Sequence, residues 1–322
     1  MKSITTAAII LGSALGLVAC AAPGRNGSGD DGTGDDGTGD DGTNGSGETR
    51  RCNKMDLVFV VDNSGSMAEE QGNLATNFPQ FANILLNYVD PQGGQLDFRI
   101  AVTTTGTDDT TTEIINFGGM SLPTTIMEHG DNGTFLNNCG GSSRWLDATD
   151  ANLATDLGCR ANVGTSGPGT EMPMRAAKMA LSDRVSDGTN AGFLRDDALL
   201  GVVMMTDEDD SSAANGVVTT TVDISGGETT TGLDTPDALV HFLDTTKGSR
   251  QNWAAGVIAA HANCTSSFGD AVAATRLQSF VDAANSGGTQ QAVFGNICDG
   301  DLSASLKQVV DKFQNACQTI VF

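Results

Sequence analysis

The chain has 322 residues, with 40 acidic side chains against 17 basic and a formal net charge of −23. That balance excludes nucleic acid and anionic headgroups as direct partners. Three histidines are thin material for His-based catalysis, while the length and a 39% hydrophobic share suffice for one large folded domain.

The chain opens Met1-Lys2, followed by an apolar stretch from Ile4 to Ala19 rich in small residues. One positive charge, an apolar core and a small-residue cleavage region predict a secretory signal peptide over residues 1–19. It closes on Leu17-Val18-Ala19-Cys20, which resembles a bacterial lipobox and implies cleavage before Cys20 and lipidation there. Several acyl chains on one residue anchor a protein stably. Residues 20–50 then carry Asp-Asp-Gly-Thr-Gly units from Asp30 to Thr43, without large hydrophobic side chains. Such composition predicts a disordered acidic tether.

Residues 51–322 read as one domain. Leu57–Val61 is an unbroken apolar, β-branched run that ends in Asp62-Asn63-Ser64-Gly65-Ser66. A buried strand there delivers a carboxylate and two hydroxyls into one tight turn, with Gly65 permitting the bend. Phe78, Phe81, Leu85 and Tyr88 mark a helical face, and Pro79 is expected to start that helix with Asn77 near its cap. Phe98–Val102 is the next strand. A Gly-, Thr- and Asn-rich stretch follows from Thr103 to about Gly169, too long for a plain loop and therefore an insertion.

Gly164 to Glu171 is a polar loop, and Ala176, Ala177, Ala180 and Leu181 form the helical face after it. Leu199–Met205 is another buried strand, followed directly by Thr206 and Asp207. Glu208, Asp209 and Asp210 read as a solvated acidic loop. Residues Glu208 to Thr235 are a second polar insertion, with Val217–Ile224 as an extra strand or hairpin arm. Helices are expected over Pro236–Leu243, Ala271–Ala284 and Leu302–Ala316, and strands at Trp253–Ala259 and Gln291–Phe294. Continuous apolar strands alternating with helices predict an α/β fold with a doubly wound, mostly parallel central sheet and helices on both faces. Both insertions follow strands, so both emerge at the carboxyl edge, where ligand sites of such sheets lie.

There are seven cysteines; setting aside Cys20 leaves an even six, which in an exported chain suggests three disulfides. Six cysteines admit many pairings. The one adopted is Cys52–Cys317, Cys139–Cys159 and Cys264–Cys298, which clamps the domain ends and closes an insertion.

Asp62-x-Ser64-x-Ser66 after a buried strand resembles the first motif of the von Willebrand factor A-type domain, its metal-ion-dependent adhesion site, or MIDAS. The resemblance implies a threonine from a second loop, Thr170 with Thr165 as the alternative, and an aspartate from a third loop, Asp207. It also implies that one position on the ion is left for an acidic residue of a partner protein. The set Asp62, Ser64, Ser66, Thr170 and Asp207 is all oxygen. That suits Mg²⁺, with Mn²⁺ or Ca²⁺ as alternatives, and does not suit Zn²⁺. No G-x-S-x-G elbow, P-loop or His-rich metalloprotease motif is present, so the expected role is binding rather than catalysis. The reading is a lipid-anchored, cation-dependent adhesion or envelope-assembly module of the bacterial cell envelope, most consistent with the outer membrane. A structural lipoprotein whose metal only stabilises loops, or a metal-assisted hydrolase, are the alternatives.

Overall fold

Along the first strand of the domain, Leu57, Phe59 and Val61 pack to one side of the sheet while Val58 and Val60 pack to the other. This alternation, with both sides buried, sets the architecture. The structure is a computed structural model that describes residues 52–89, 93–139, 143–223, 225–266, 269–299 and 301–320. The leader, Cys20 and the acidic tether lie outside the described residues.

In chain order, β1 (Lys54–Val61) leads through a short 3₁₀ turn into α1 (Ala68–Leu86), followed by β2 (Asp97–Thr104) and the hairpin of β3 (Asp109–Phe117) and β4 (Met120–Glu128). Next come β5 (Leu146–Asp147), α2 (Leu153–Ala161), α3 (Pro173–Leu181), the short α4 (Asp183–Ser186) and β6 (Leu199–Met205). The hairpin of β7 (Val217–Asp223) and β8 (Glu228–Thr231) precedes α5 (Asp237–Lys247) and β9 (Trp253–Ala259). The chain closes with β10 (Cys264–Ser266), β11 (Gly269–Ala271), α6 (Thr275–Ala284), β12 (Ala292–Asn296) and α7 (Ser303–Thr319).

The central sheet has the order β12-β9-β6-β1-β2-β5 and is parallel throughout except for the β2–β5 edge. Side chains of α1, α2 and α7 cover one face, and those of α3, α5 and α6 cover the other. The fold is the doubly wound α/β class. β1 lies at the middle of the sheet, between β2 and β6, so its carboxyl end opens at the centre of the ligand edge.

Several local expectations need correction. The helix containing Pro79 begins at Ala68, and Pro79 lies inside it. A mid-helix proline gives no N–H to the carbonyl four residues back. Here Thr76 and Asn77 do not cap; their side chains bond back to the carbonyls of Gly72 (3.0 Å) and Asn73 (2.8 Å). The burial of Phe78, Phe81 and Leu85 on the core face holds the helix across the proline. Ala271 closes the small β10–β11 hairpin rather than opening a helix, and α6 starts at Thr275.

The two polar insertions fold together. β3 runs parallel to β7, giving a second, four-stranded sheet of order β4-β3-β7-β8. Three disulfides join Cys52 to Cys317, Cys139 to Cys159 and Cys264 to Cys298.

The close seating of α7 depends on two glycines in the sheet. A Cβ on Gly256 would stand 2.4 Å from Val309 Cγ2, and one on Gly201 would stand 3.0 Å from Phe313 Cε2. Overpacking of this kind costs roughly 1–3 kcal/mol. Gly256→Val is therefore expected to lower the urea midpoint by a corresponding amount, and an unchanged midpoint would contradict this packing.

Candidate metal centre

β1 begins and ends near buried aspartates with opposite fates. Asp56, fully buried, is met by Arg195, whose backbone N–H donates to Oδ2 (2.7 Å) and whose Nε donates to Oδ1 (2.8 Å). Asp62, just beyond the other end, is also fully buried, yet among the described residues no ion pair reaches it. Its oxygens are held by neutral donors: the Ser64 N–H to Oδ1 (2.7 Å) and the Thr206 hydroxyl to Oδ2 (2.6 Å). Burial pushes the Asp62 carboxyl above its ordinary pKa, against the lowering effect of those two bonds.

The site sits where three loops leave the carboxyl edge. The backbone of Asp62 still pairs with β6, its N–H donating to the Met205 carbonyl (2.9 Å), so Asp62 and Asp207 are fixed side by side. Ser64 and Ser66 hydroxyls lie 2.8 Å apart, and Ser66 Oγ is 3.3 Å from Asp207 Oδ1. Asp207 is 1% exposed and its Oδ2 has no hydrogen-bond partner. Burial first, then the Asp62 charge, push its carboxyl up to about 7.

The loop before α3 is clamped onto the first loop. The Gly167 N–H donates to the Asn63 carbonyl (2.7 Å). Gln71 bridges both: its Nε2 donates to the Asp62 carbonyl (2.8 Å) and its Oε1 accepts from the Val163 N–H (3.2 Å). Among the described residues, neither threonine expected from this loop hydrogen-bonds Asp62, Ser64, Ser66 or Asp207. Thr170 turns to β3, its hydroxyl 3.4 Å from that of Thr111, and Thr165 is exposed. The next residue, Glu171, is buried: it is 2% exposed and its Oε1 is partnerless. Burial, then Asp62 and Glu208, push its carboxyl up to about 10. Successive side chains in non-helical backbone point to different sides, so seating Thr170 on the second sheet sends Glu171 inward.

Glu70, in the first turn of α1, adds a further buried carboxyl raised to about 7, chiefly by burial. The acidic run after Asp207 is not a solvated loop. Asp209 accepts from the Arg276 N–H (2.9 Å) and the Thr275 hydroxyl (2.9 Å) at the start of α6. Asp210, fully enclosed, accepts from the Met174 N–H (3.1 Å) at the start of α3 and pairs with Arg276 (3.3 Å). Both serve helix N-termini, where carboxylates are favoured.

The donor set fits a hard divalent cation. All candidate donors are oxygen, and the buried carboxylates of Asp207 and Glu70 each keep an oxygen without any partner. Leaving such oxygens buried and unmatched is costly. Ser64, Ser66 and Asp207 have oxygens free to hold an ion. Both oxygens of Asp62 are engaged, so it acts through its charge and by fixing the loop. An open cleft beside Ser66 and Asp207, walled by Thr265, Asp270 and Val272, gives access. The Cys264–Cys298 disulfide pins that wall.

No family model matches this sequence, and no curated protein is found to be similar to it. Among solved structures, proximal thread matrix protein 1 of the mussel byssus is similar over 82% of this chain and 49% of its own, at 12% identity and a TM-score of 0.42. A structure of that protein with a zinc-occupied MIDAS motif is similar at 16% identity and a TM-score of 0.40, over 83% of this chain and 47% of its own. The manganese-loaded TRAP protein of Plasmodium vivax is similar over 81% of this chain and 74% of its own, at 12% identity and a TM-score of 0.38. The chain thus spans about half the length of the mussel protein.

Crowded buried carboxylates repel one another when no cation is present. In chelator at neutral pH, Asp207→Asn is expected to raise the melting temperature by about 2–4 °C, the shift that ~1 kcal/mol gives in a domain of this size. With millimolar divalent cation the order should reverse, the wild type gaining and the variant not. A variant less stable than the wild type in chelator would contradict the repulsion.

Proposed function

We propose that the chain is a divalent-cation-dependent protein-binding module of the bacterial cell envelope, held to the outer membrane by lipid on Cys20. The observation that carries the reading is the buried, partnerless Asp207 Oδ2, grouped with the Ser64 and Ser66 hydroxyls beside an open cleft. A bound cation would supply a Lewis-acidic position for an oxygen of a partner, for which an acidic side chain is the natural donor.

The chain's own residues do the rest. Asp62 supplies charge and is held still by Ser64 N–H and Thr206. Gln71 locks two loops together, so the donors stand ready before any ion arrives. The second sheet offers a contact surface, with Phe117, Met120, Leu122 and Ile126 all more than half exposed on it. Exposed apolar groups gathered like this mark interaction sites more often than isolated ones do.

Binding rather than turnover is the role assigned. His129 and His241 pair with Asp108 (3.2 Å) and Asp237 (3.4 Å) at the surface, and His261 lies against the Phe294 ring. These positions serve local structure. The acidic tether would hold the domain away from the bilayer, since its carboxylates repel one another and anionic headgroups alike.

The test uses one pair of proteins. Wild type expressed in a bacterial host should label with an alkyne fatty acid and sediment with membranes, and Cys20→Ser should do neither. Calorimetry on the soluble Cys20→Ser chain should detect binding of a divalent cation, and adding Ser66→Ala should weaken it at least about tenfold, as loss of one inner ligand predicts. Absence of cation binding by the Cys20→Ser chain would overturn the module reading, and persistent membrane attachment of that chain would overturn the anchor.

A further inference from the structure

The four-stranded sheet built from the two insertions has two unlike faces. We propose that one of them docks a cationic, amphipathic segment of a partner protein, through contacts that need no metal ion.

Side chains alternate across a strand, so the pairing register sorts them by face. Ile115 lies opposite Leu122, Phe117 opposite Met120, and Thr111 opposite Ile126, which puts all six on one face. Val218 and Val222 of β7 continue that face. Ile115, Phe117, Met120, Leu122 and Ile126 are each between 45% and 62% exposed. At the base of the same face the Thr111 hydroxyl lies 3.4 Å from that of Thr170, and Glu128 accepts from the Gly169 N–H (2.9 Å). The loop before α3 thus reaches the base, and the apolar row beyond it is open. The opposite face is polar and self-satisfied: the Thr112 and Thr125 hydroxyls lie 3.1 Å apart, and Ser121 donates to Asn116 (2.6 Å).

The edges of the sheet do not invite another strand. Pro123 sits midway along β4, opposite Ile114, and has no N–H to offer. A proline on an edge strand is a common block to strand addition. The other edge, β8, is only four residues long. The face is therefore the docking element.

Charge selects the occupant. The four strands carry no lysine, arginine or histidine; their charged side chains are Asp109, Glu113, Glu128, Asp223 and Glu228. Two of these flank the exposed apolar row. Glu113 is exposed two residues before Ile115 on the same face, and Glu228 is exposed beside Val222. A second copy of the chain would set these carboxylates, and a net charge of −23, against their like. A segment that alternates apolar side chains with lysine or arginine would cover the row and pair with its acidic rim.

The test is run on the Cys20→Ser chain in chelator, so it does not depend on the cation site. The probe is a dye-labelled peptide of alternating leucine and lysine, read by fluorescence anisotropy. Serine–lysine and leucine–glutamate peptides of equal length are the comparisons. The leucine–lysine peptide should bind at least about tenfold more tightly than either. Combining Phe117→Ser with Leu122→Ser should weaken it at least about tenfold, since two apolar anchors are lost. Glu113→Gln should weaken it about threefold and lessen its salt dependence. These positions are exposed, so all variants should melt within about 2 °C of the parent.

Equal binding of the probe by the parent and the double variant would overturn the proposal. So would serine–lysine binding as tight as leucine–lysine, which would mean diffuse attraction to an acidic surface. Self-association of the parent in sedimentation, abolished by the double variant, would assign the face to a second copy instead. Flotation of the parent with phosphatidylcholine vesicles, lost in the double variant, would assign it to lipid. Each of these results leaves the divalent-cation reading standing, because chelator is present throughout.

Discussion

The structure is organised around an uncompensated charge. A strand at the middle of a parallel sheet ends in Asp62, which is fully buried and has no basic partner among the described residues. The contrast with Asp56 is instructive, because the same strand solves the same problem at its other end with Arg195. Burying one unpaired carboxylate costs several kcal/mol. Here Asp207 and Glu171 share the burial, and each keeps an oxygen without a partner. Gathering such groups at the ligand edge and fixing them with neutral donors is the arrangement on which the proposed cation site rests.

Much of the surrounding detail makes sense as support for that arrangement. Gln71 and the Asn63–Gly167 contact tie the first loop to the second. Asp209 and Asp210, which follow Glu208, tie the third loop to the starts of α6 and α3. Each loop of the site is thereby anchored to an element that packs on the sheet. Rigid support of this kind is what lets a site keep its donors together against their mutual repulsion. The Cys264–Cys298 disulfide extends the same logic to the wall of the cleft.

The strands of the central sheet were legible because they are buried on both sides and read as unbroken apolar runs. Asp62, Ser64, Ser66 and Asp207 were legible for the same reason, since each stands just after such a run. The start of α1 was not, because Pro79 reads locally as a helix start, while tertiary packing of Phe78, Phe81 and Leu85 overrides it. The pairing of β3 with β7 joins residues more than a hundred positions apart through Thr-rich strands, and no local pattern announces a parallel partner. Glu171 was hidden by its neighbour. A threonine before a helix is an ordinary cap, and only the contact of Thr170 with Thr111 reveals that the next residue faces inward. The one signal in the sequence was a carboxylate placed directly before Met172-Pro173, where a surface acid has no packing reason to sit.

The most direct test is to locate the ion. Crystals of the Cys20→Ser chain soaked in Mn²⁺, collected at the manganese edge, should show one strong anomalous peak within coordinating distance of Ser64, Ser66 and Asp207 oxygens. A peak elsewhere on the acidic surface, or none at this cluster with the loops ordered, would contradict the account.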